Sequence, residues 1–326
     1  AQFAGPIPAS PVVADGMVYV VSGDGVLRAL TLDGGLERWS VELGAEVGSA
    51  TPLIVGEALI VGDAAGRLSA FKRAKGGRLW SVELDGAIEG APALAGGRII
   101  AATATAVAYA IEPANGQIVW QSRLSAGVTR SVAVADETVY LGLSGGELAA
   151  LRLDDGELLW QVKISASGEV GTPTAAAGLV LAATGIGTID AESKSAVALD
   201  ESSQAVRWRY ASPERAQVYT PAVLEGLAHV VGKDGHVVAL DLGSGRERWT
   251  ASTDEIITAL PAVGGDVLYV ASDEGGLMAF DRSTGRRLWR AKLIAGQAYA
   301  PVLSAGYMLV GTSHGFLYAL GEEAGE

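Results

Sequence analysis

Seven tryptophans recur through the chain at an almost constant interval. They are the only tryptophans in 326 residues, and they stand at positions 39, 80, 120, 160, 208, 249 and 289. A period of about 40 residues indicates that one supersecondary unit is repeated, and such a unit buries its apolar surface only by packing against its neighbours. The fold must therefore be built from stacked or ring-forming copies of a single motif.

Each tryptophan ends an eleven-residue frame that begins with alanine. Glycine holds the seventh place in six of the frames, and Gln204 stands there in the fifth frame. The frames are ALTLDGGLERW, AFKRAKGGRLW, AIEPANGQIVW, ALRLDDGELLW, ALDESSQAVRW, ALDLGSGRERW and AFDRSTGRRLW.

The sequence between successive frames predicts four short strands per unit. In the seventh unit, apolar runs lie near 261–264, 267–271, 277–281 and 287–292, separated by Gly-Asp, Asp-Glu-Gly and Ser-Thr-Gly. Alternating apolar residues indicate strands, and such dipeptides indicate turns. Four antiparallel strands in about 40 residues are typical of a β-propeller blade. A glycine recurs at the second turn, where positive φ favours it: Gly25, Gly66, Gly146, Gly235, Gly275 and Gly315.

The number of units is eight. Proline opens an apolar run at seven places, and Val132 fills the one remaining place in the series. We therefore predict an all-β, eight-bladed β-propeller with four antiparallel strands per blade, forming a single domain over residues 1–326. Its blades start near residues 11, 52, 92, 132, 173, 221, 261 and 301.

The two ends of the sequence are predicted to meet in the eighth blade. ALGEEAGE, residues 319–326, copies the first eight places of the tryptophan frame, and AQFAGPIPASP aligns on its proline with residues 42–52. The N-terminal and C-terminal segments would then share the outermost strand of blade eight and close the ring, which removes unpaired sheet edges.

Composition excludes several classes of function. The net charge is −13 and the pI about 4.8, which disfavours binding to nucleic acid or to an anionic membrane surface. No apolar run approaches the roughly 18 residues that cross a bilayer. The chain has no cysteine, so disulfides, thiol nucleophiles and cysteine-bound metals are excluded.

The frame Ala-x-Asp-x-x-x-Gly-x-x-x-Trp resembles the tryptophan-docking motif of the PQQ-like, or quinoprotein-type, propeller repeats. The resemblance covers nearly the whole chain. It implies that every tryptophan packs between adjacent blades against the neighbouring motif. This structural docking role is implied for Trp39, Trp80, Trp120, Trp160, Trp208, Trp249 and Trp289.

That family has a catalytic branch and a non-catalytic, BamB-like branch. For the dehydrogenases the resemblance implies PQQ over the central axis, a calcium site of Glu and Asn, a catalytic Asp, a tryptophan floor and often a vicinal disulfide. This chain has no cysteine, a single asparagine (Asn115, in a frame turn) and no tryptophan outside the frames. We therefore expect no catalytic residue, no metal and no cofactor.

The resemblance then implies a non-catalytic scaffold of the BamB-like branch. We expect a monomer that lies in the periplasm or elsewhere outside the cytoplasm and binds a protein or peptide partner. The alternative is a ligand-sensing domain of a receptor or kinase that takes PQQ or another small molecule, and a PQQ-dependent dehydrogenase is least favoured.

Two further sets of residues are assigned structural roles. The three histidines show no metal-binding spacing and are predicted to lie at the surface or at strand edges. Aspartates recur in the frames, as at Asp33, Asp154, Asp241 and Asp281, and are predicted to accept hydrogen bonds from turn amides.

Functional residues are expected where the repeats differ. The segments just before each blade start vary most, and in a propeller they share one face with the second-to-third-strand turns. Facing inward, their side chains would form an acidic and aromatic funnel with isolated arginines, suited to a polar ligand or a peptide. The alternative is the ordinary polarity of solvated loops. The candidates are Glu46, Glu89, Arg130, Glu169, Arg215, Tyr219 and Tyr299.

The fifth unit carries an insertion, centred on residues 185–195, between its second and third strands. We expect it on the same face, where one long loop on a regular ring is a candidate contact element. The alternative is a tolerated surface insertion.

Overall fold

The computed structural model describes residues 1–48, 51–293 and 296–321. Blades one to four contain β1 (Val12–Ala14), β2 (Met17–Ser22), β3 (Val26–Thr31), β4 (Glu37–Glu42), β5 (Leu53–Val55), β6 (Ala58–Gly62), β7 (Arg67–Lys72), β8 (Arg78–Glu83), β9 (Ala93–Ala95), β10 (Arg98–Ala102), β11 (Val107–Ile111), β12 (Ile118–Arg123), β13 (Ala133–Ala135), β14 (Thr138–Gly142), β15 (Glu147–Arg152) and β16 (Leu158–Lys163). Blades five to eight contain β17 (Thr174–Ala176), β18 (Leu179–Thr184), β19 (Ser195–Asp200), β20 (Val206–Tyr210), β21 (Ala222–Leu224), β22 (Leu227–Val231), β23 (His236–Asp241), β24 (Glu247–Ser252), β25 (Ala262–Gly264), β26 (Val267–Ala271), β27 (Gly276–Asp281), β28 (Arg287–Lys292), β29 (Val302–Ser304), β30 (Tyr307–Gly311) and β31 (Leu317–Gly321). A short 3-10 helix covers Ala191–Ser193.

Eight antiparallel sheets form a ring, which confirms the predicted all-β, eight-bladed propeller. Within each sheet the strands pair in chain order, so every blade is a meander. The glycines at the second turns have the positive φ predicted for them, for example 75° at Gly25 and 85° at Gly66. Within the described residues, no helix is long and apolar enough to cross a membrane.

The N-terminal residues occupy the fourth strand position of the eighth blade. The amino group of Ala1 donates to the Leu317 carbonyl (3.0 Å), the Leu317 amide donates to the Ala1 carbonyl (2.8 Å), and Gln2 bridges to Phe316. A cluster of buried side chains, including Ile7, then joins the first blade to the eighth. Residues 322–326 of the predicted closing segment lie outside the described residues.

The alanine that opens each frame is the cross-strand partner of the tryptophan that ends it. Ala29 pairs with Trp39, and the same pairing recurs in all seven frames, each time beside a β-bulge. All seven alanines are fully buried. A larger side chain there would displace the indole, because the two Cβ atoms of a directly opposed pair lie only about 5 Å apart.

In blades two, three, four, six and seven the frame glycine receives the tryptophan of the preceding blade. A Cβ placed on Gly76, for instance, would lie 2.7 Å from a ring carbon of Trp39. The indole Nε1 also donates to the carbonyl of the fourth frame residue in the next blade. These bonds join Trp39 to Arg73 (3.0 Å), Trp80 to Pro113 (2.8 Å), Trp120 to Leu153 (3.0 Å), Trp208 to Leu242 (2.8 Å) and Trp249 to Arg282 (2.8 Å).

The junction between blades four and five departs from this pattern. Its frame has Gln204 in place of glycine, held at φ 55°. The side-chain amide of Gln204 donates to the backbone carbonyl of Glu201 (2.9 Å). At the regular junctions the equivalent carbonyl accepts the indole N–H. Trp160 instead lines a cleft together with Glu201. The frame position that would receive Trp289 is residue 325 of the eighth blade, which lies outside the described residues.

His229 is a correction to the prediction that the histidines lie at the surface or at edges. Its side chain is fully buried in β22, and its ring lies 6.0 Å from that of Trp249. The equivalent position in blade one is Tyr19, which contacts Trp39 in the same way. Burial lowers the pKa of His229, so the ring is a neutral part of the blade junction.

The frame aspartates divide into two groups. Asp241 accepts from the Ser244 amide (3.0 Å), and Asp281 accepts from the Thr284 amide (2.9 Å), as predicted. The prediction is wrong for the other two. The Asp154 carboxylate pairs with Arg98, and that of Asp33 lies 3.5 Å from the Tyr307 hydroxyl, because these two stand two places later in the frame.

The hydrogen-bonded carboxylates of Asp241 and Asp281 make the stability of the fold depend on pH. Hydrogen bonds from Ser244, with the Arg248 guanidinium, lower the pKa of Asp241 from 3.8 to about 2. This stabilisation is complete above about pH 4 and is lost as the pH falls toward 2. We expect the melting temperature of Asp241→Asn to fall less than that of the parent between pH 5 and pH 2.5. Equal slopes, or the same change in the exposed control Asp254→Asn, would argue against this role.

Candidate functional site at the propeller axis

The loops that precede the first strands line the axis at one face of the ring. Side-chain hydroxyls link these loops from blade to blade through backbone amides. Three bonds join loop to loop, from the amide of Ser10 to Thr51 (3.2 Å), Ala91 to Ser131 (3.0 Å) and Ser131 to Thr172 (3.2 Å), and a fourth joins the amide of Ala183 in β18 to Thr220 (3.1 Å). The rim of the axial opening is therefore a defined surface and not a set of independent loops.

A cavity of about 730 Å³ opens at this face and is lined mainly by blades four to eight. Three cationic side chains line it, namely Arg130, Lys194 and Lys233, together with Tyr219 and Tyr299. None of the described residues that line it is an aspartate or a glutamate. We call it the basic cavity.

A second cavity of about 620 Å³ lies beside the first and shares Pro8 and Arg130 with it. Its charged lining otherwise consists of Glu46, Glu89 and Glu169. We call it the acidic cavity. Glu169 lies on the boundary, where it accepts from the Arg130 guanidinium (3.1 Å) and the Thr129 hydroxyl (2.9 Å). The axial opening is therefore dipolar, acidic toward the early blades and basic toward the later ones.

Burial shapes the two tyrosines of the basic cavity. It raises the pKa of Tyr219 to about 12, although the nearby Arg130 guanidinium acts in the opposite direction. The Tyr219 hydroxyl donates to the Ile257 carbonyl (3.1 Å) and is thereby fixed. Burial also raises the pKa of Tyr299. Both phenols are neutral near pH 7 and add hydrogen-bonding groups without negative charge.

The insertion of blade five lies on the same face, since Ile186, Gly187 and Thr188 line the basic cavity. Its backbone is held by Asp190, which accepts from the Ser193 hydroxyl (2.6 Å) and caps the short helix through the Glu192 amide (3.1 Å). Hydrogen bonding to Ser193 lowers the pKa of Asp190, so the carboxylate keeps this role at neutral pH.

Ile189 stands at the tip of this ordered insertion. Its side chain is 99% exposed, more than any other large apolar side chain in the described residues. Asp190, the next residue, also accepts from Ser167 at the preceding blade junction (3.1 Å). An isoleucine on a loop held by hydrogen bonds thus projects into solvent beside the basic cavity.

The structure brings six of the seven predicted funnel residues to the two cavities. Arg130 lines both, Glu46, Glu89 and Glu169 line the acidic one, and Tyr219 and Tyr299 line the basic one. Arg215 is outside both linings. It is exposed and pairs with Glu192 of the insertion (2.6 Å), so it braces the loop.

Ile189 and Lys194 lie within the 185–195 insertion that was predicted as a contact element, although neither was named individually, and Lys233 was not predicted. Lys233 lies in the turn between β22 and β23, and Lys194 ends the insertion. Both places belong to the predicted face, but the named candidates all came from the segments before each blade start, and Lys233 lies in a second-to-third-strand turn of ordinary length. Counting charges in the second-to-third-strand turns as well would have identified Lys233.

The donor set of the basic cavity fits an anion and does not fit the calcium that the resemblance implies for the dehydrogenases. Its charged side chains are cations, whereas calcium requires several oxygen ligands, usually carboxylates. No group of three or more His, Cys, Asp or Glu able to hold a metal ion occurs in the described part of the chain.

The fold and the axial site together define an eight-bladed PQQ-like propeller. A family model described as outer membrane protein assembly factor BamB matches residues 1–80, 28–196, 171–257 and 233–326. The chain belongs to this BamB family. No curated protein matches it significantly.

Solved structures share the fold at low sequence identity. BamB from Moraxella catarrhalis is 17% identical, with a TM-score of 0.79 and 98% of each chain covered. The computationally designed protein Ika8 is 16% identical, with a TM-score of 0.85 over 98% of this chain and 97% of that one. Quinohemoprotein alcohol dehydrogenase from Comamonas testosteroni is 15% identical, with a TM-score of 0.75 over 97% and 72%.

Proposed function

We propose that this protein is a non-catalytic scaffold that binds a protein partner outside the cytoplasm through the loop face of the propeller. The observation that carries the proposal is Ile189, a fully exposed apolar side chain on an insertion tied down by hydrogen bonds. Apolar anchors held in place before binding lose little conformational entropy on association, and such residues dominate interface energies.

Family membership supports the kind of partner. The matching model describes an assembly factor for outer membrane proteins, and a solved relative is BamB. The proposed partner is therefore a component of the outer membrane assembly machinery of the same organism. We further propose that the protein acts in the periplasm and as a monomer, and that it requires no cofactor.

The partner can be tested with the purified periplasmic part of the organism's central barrel-assembly protein. We expect Ile189→Asp to weaken binding about tenfold or more, because a charge would replace the apolar anchor. The matched control is Leu36→Asp, which changes another exposed side chain (66%) in a turn at the opposite face.

Biolayer interferometry would give both affinities, and melting curves would show that both variants stay folded. Equal weakening by the two substitutions would contradict a loop-face interface. Failure of the unsubstituted protein to bind would contradict the proposed partner. Fractionation of cells that express the whole gene tests the compartment.

A ligand-sensing domain is the second candidate function, and the basic cavity favours it. A volume of about 730 Å³ lies within the range of small-molecule sites, about 300–1,000 Å³. Calorimetric titration with PQQ, with and without calcium, tests this alternative. Absence of heat and of any thermal shift would remove it for that ligand. Dye-linked alcohol oxidation, the assay for the dehydrogenase alternative, is expected to give no turnover.

A further inference from the structure

The basic cavity is unusual in a chain of this charge. The protein has 37 acidic and 24 basic residues, yet the charged side chains that line this cavity are Arg130, Lys194 and Lys233. Like charges brought together in one cavity repel each other, and a bound anion relieves that repulsion. The arrangement therefore favours a negatively charged occupant.

The cationic side chains of the cavity also keep groups available to bind a ligand. Neither Lys194 nor Lys233 forms an ion pair with any of the residues that the structure describes. Arg130 uses one terminal nitrogen for Glu169, whereas its Nε is buried and has no hydrogen-bond partner among those residues. A buried donor left without an acceptor is destabilising, so an oxygen supplied by a ligand would be bound favourably at this point.

The hydroxyls of the rim add donors of the same kind. Thr51, Ser131, Thr172 and Thr220 line the basic cavity, and each accepts a hydrogen bond from a backbone amide. A hydroxyl has one proton to donate besides its accepting lone pairs. Each amide occupies one of the two lone pairs of its hydroxyl and leaves the hydroxyl proton available to donate, and carboxylate oxygens accept without donating.

We propose that the basic cavity binds carboxylate side chains from an acidic segment of the partner protein. The inference rests on the proposed function, because the cavity adjoins Ile189 through Ile186, Gly187 and Thr188 of the same insertion. An acidic segment would place carboxylates at Arg130, Lys194 and Lys233 while its neighbouring residues cover Ile189. The acidic cavity alongside repels the same segment and so fixes the direction in which it lies.

The test uses the whole propeller and a fluorescein-labelled hexapeptide of alternating glutamate and serine. We expect the peptide to bind, and the double variant Lys194→Gln/Lys233→Gln to weaken binding about tenfold or more, since two uncompensated cations are removed. The matched control is Lys72→Gln/Lys75→Gln, which removes two exposed lysines from a frame turn at the opposite face. Fluorescence anisotropy at 50 mM and 300 mM salt (about the range over which screening becomes strong) should show weaker binding at the higher salt.

Three outcomes would overturn the proposal. They are no binding of the peptide, equal effects of the two double variants, and equal binding of a lysine-serine hexapeptide. Binding of citrate should be measured in the same way. Citrate binding without peptide binding would assign the cavity to free carboxylates and contradict the proposed binding of an acidic segment. If the peptide fails while Ile189→Asp still weakens partner binding, only this inference falls; if the partner itself fails to bind, the proposed function falls independently.

Discussion

Replacing Trp120 by alanine is expected to lower the free energy of unfolding by about 4 kcal/mol, within the range measured for large aromatic side chains in cores. Trp120 is 8% exposed and lies in the cluster that joins blades three and four. The substitution leaves a cavity at that junction and also removes the indole bond to the Leu153 carbonyl (3.0 Å). Urea unfolding followed by far-ultraviolet circular dichroism measures the loss.

Trp289→Ala is the comparison within the same repeat series. Its side chain is 39% exposed, so less apolar area is removed and we expect a loss of about 1–2 kcal/mol. Trp120→Phe should fall between the two alanine variants, because it keeps an aromatic ring and loses the hydrogen bond. If both alanine variants lose the same amount, burial between blades is not the source of the stabilisation.

The fold could be predicted from sequence because each blade junction is specified locally and repeatedly. Ala110, Gly116 and Trp120 lie within eleven residues, and the glycine receives a tryptophan from one period earlier. Their fixed offsets therefore encode both the bulge within a blade and the contact between blades. Where one frame residue changes, as at Gln204, the ring still forms because the other junctions between blades keep the regular contacts.

The candidate site could be predicted only in part, because it depends on distances between repeats that are far apart in sequence. Glu89 and Glu169 were assigned to one funnel from their places before blade starts, and they do line one cavity. Whether a side chain from a given blade reaches the axis depends on local partners. Arg215 is turned outward by Glu192, while Lys194 is carried to the cavity by the insertion.

His229 shows a different limit. The prediction placed all three histidines at the surface or at strand edges, because polar side chains are mostly exposed. His229 is buried because it replaces a tyrosine such as Tyr19 that contacts the frame tryptophan of its own blade. Comparing equivalent positions between repeats would have predicted its environment better than its chemical type did.

Gly156→Ala is expected to destabilise the propeller by about 3 kcal/mol, although it adds a single methyl group. The residue has φ 74°, and a Cβ there would lie 2.6 Å from Cε3 of Trp120. Two penalties add, namely about 1–2 kcal/mol for an L-residue in the left-handed region and about 1–3 kcal/mol for overpacking a filled junction. The indole must move away from the neighbouring frame, and its hydrogen bond to Leu153 is weakened with it.

Gly97→Ala separates the two penalties. Gly97 has the same φ of 74°, and a Cβ there would meet no other atom within 4 Å. It should therefore lose only the backbone part, about 1–2 kcal/mol. The difference between the two midpoints of urea unfolding measures how tightly the indole packs on the glycine. Losses that agree within error would show that the frame keeps glycine for its backbone conformation alone, whereas an excess at Gly156 assigns the residue to blade docking.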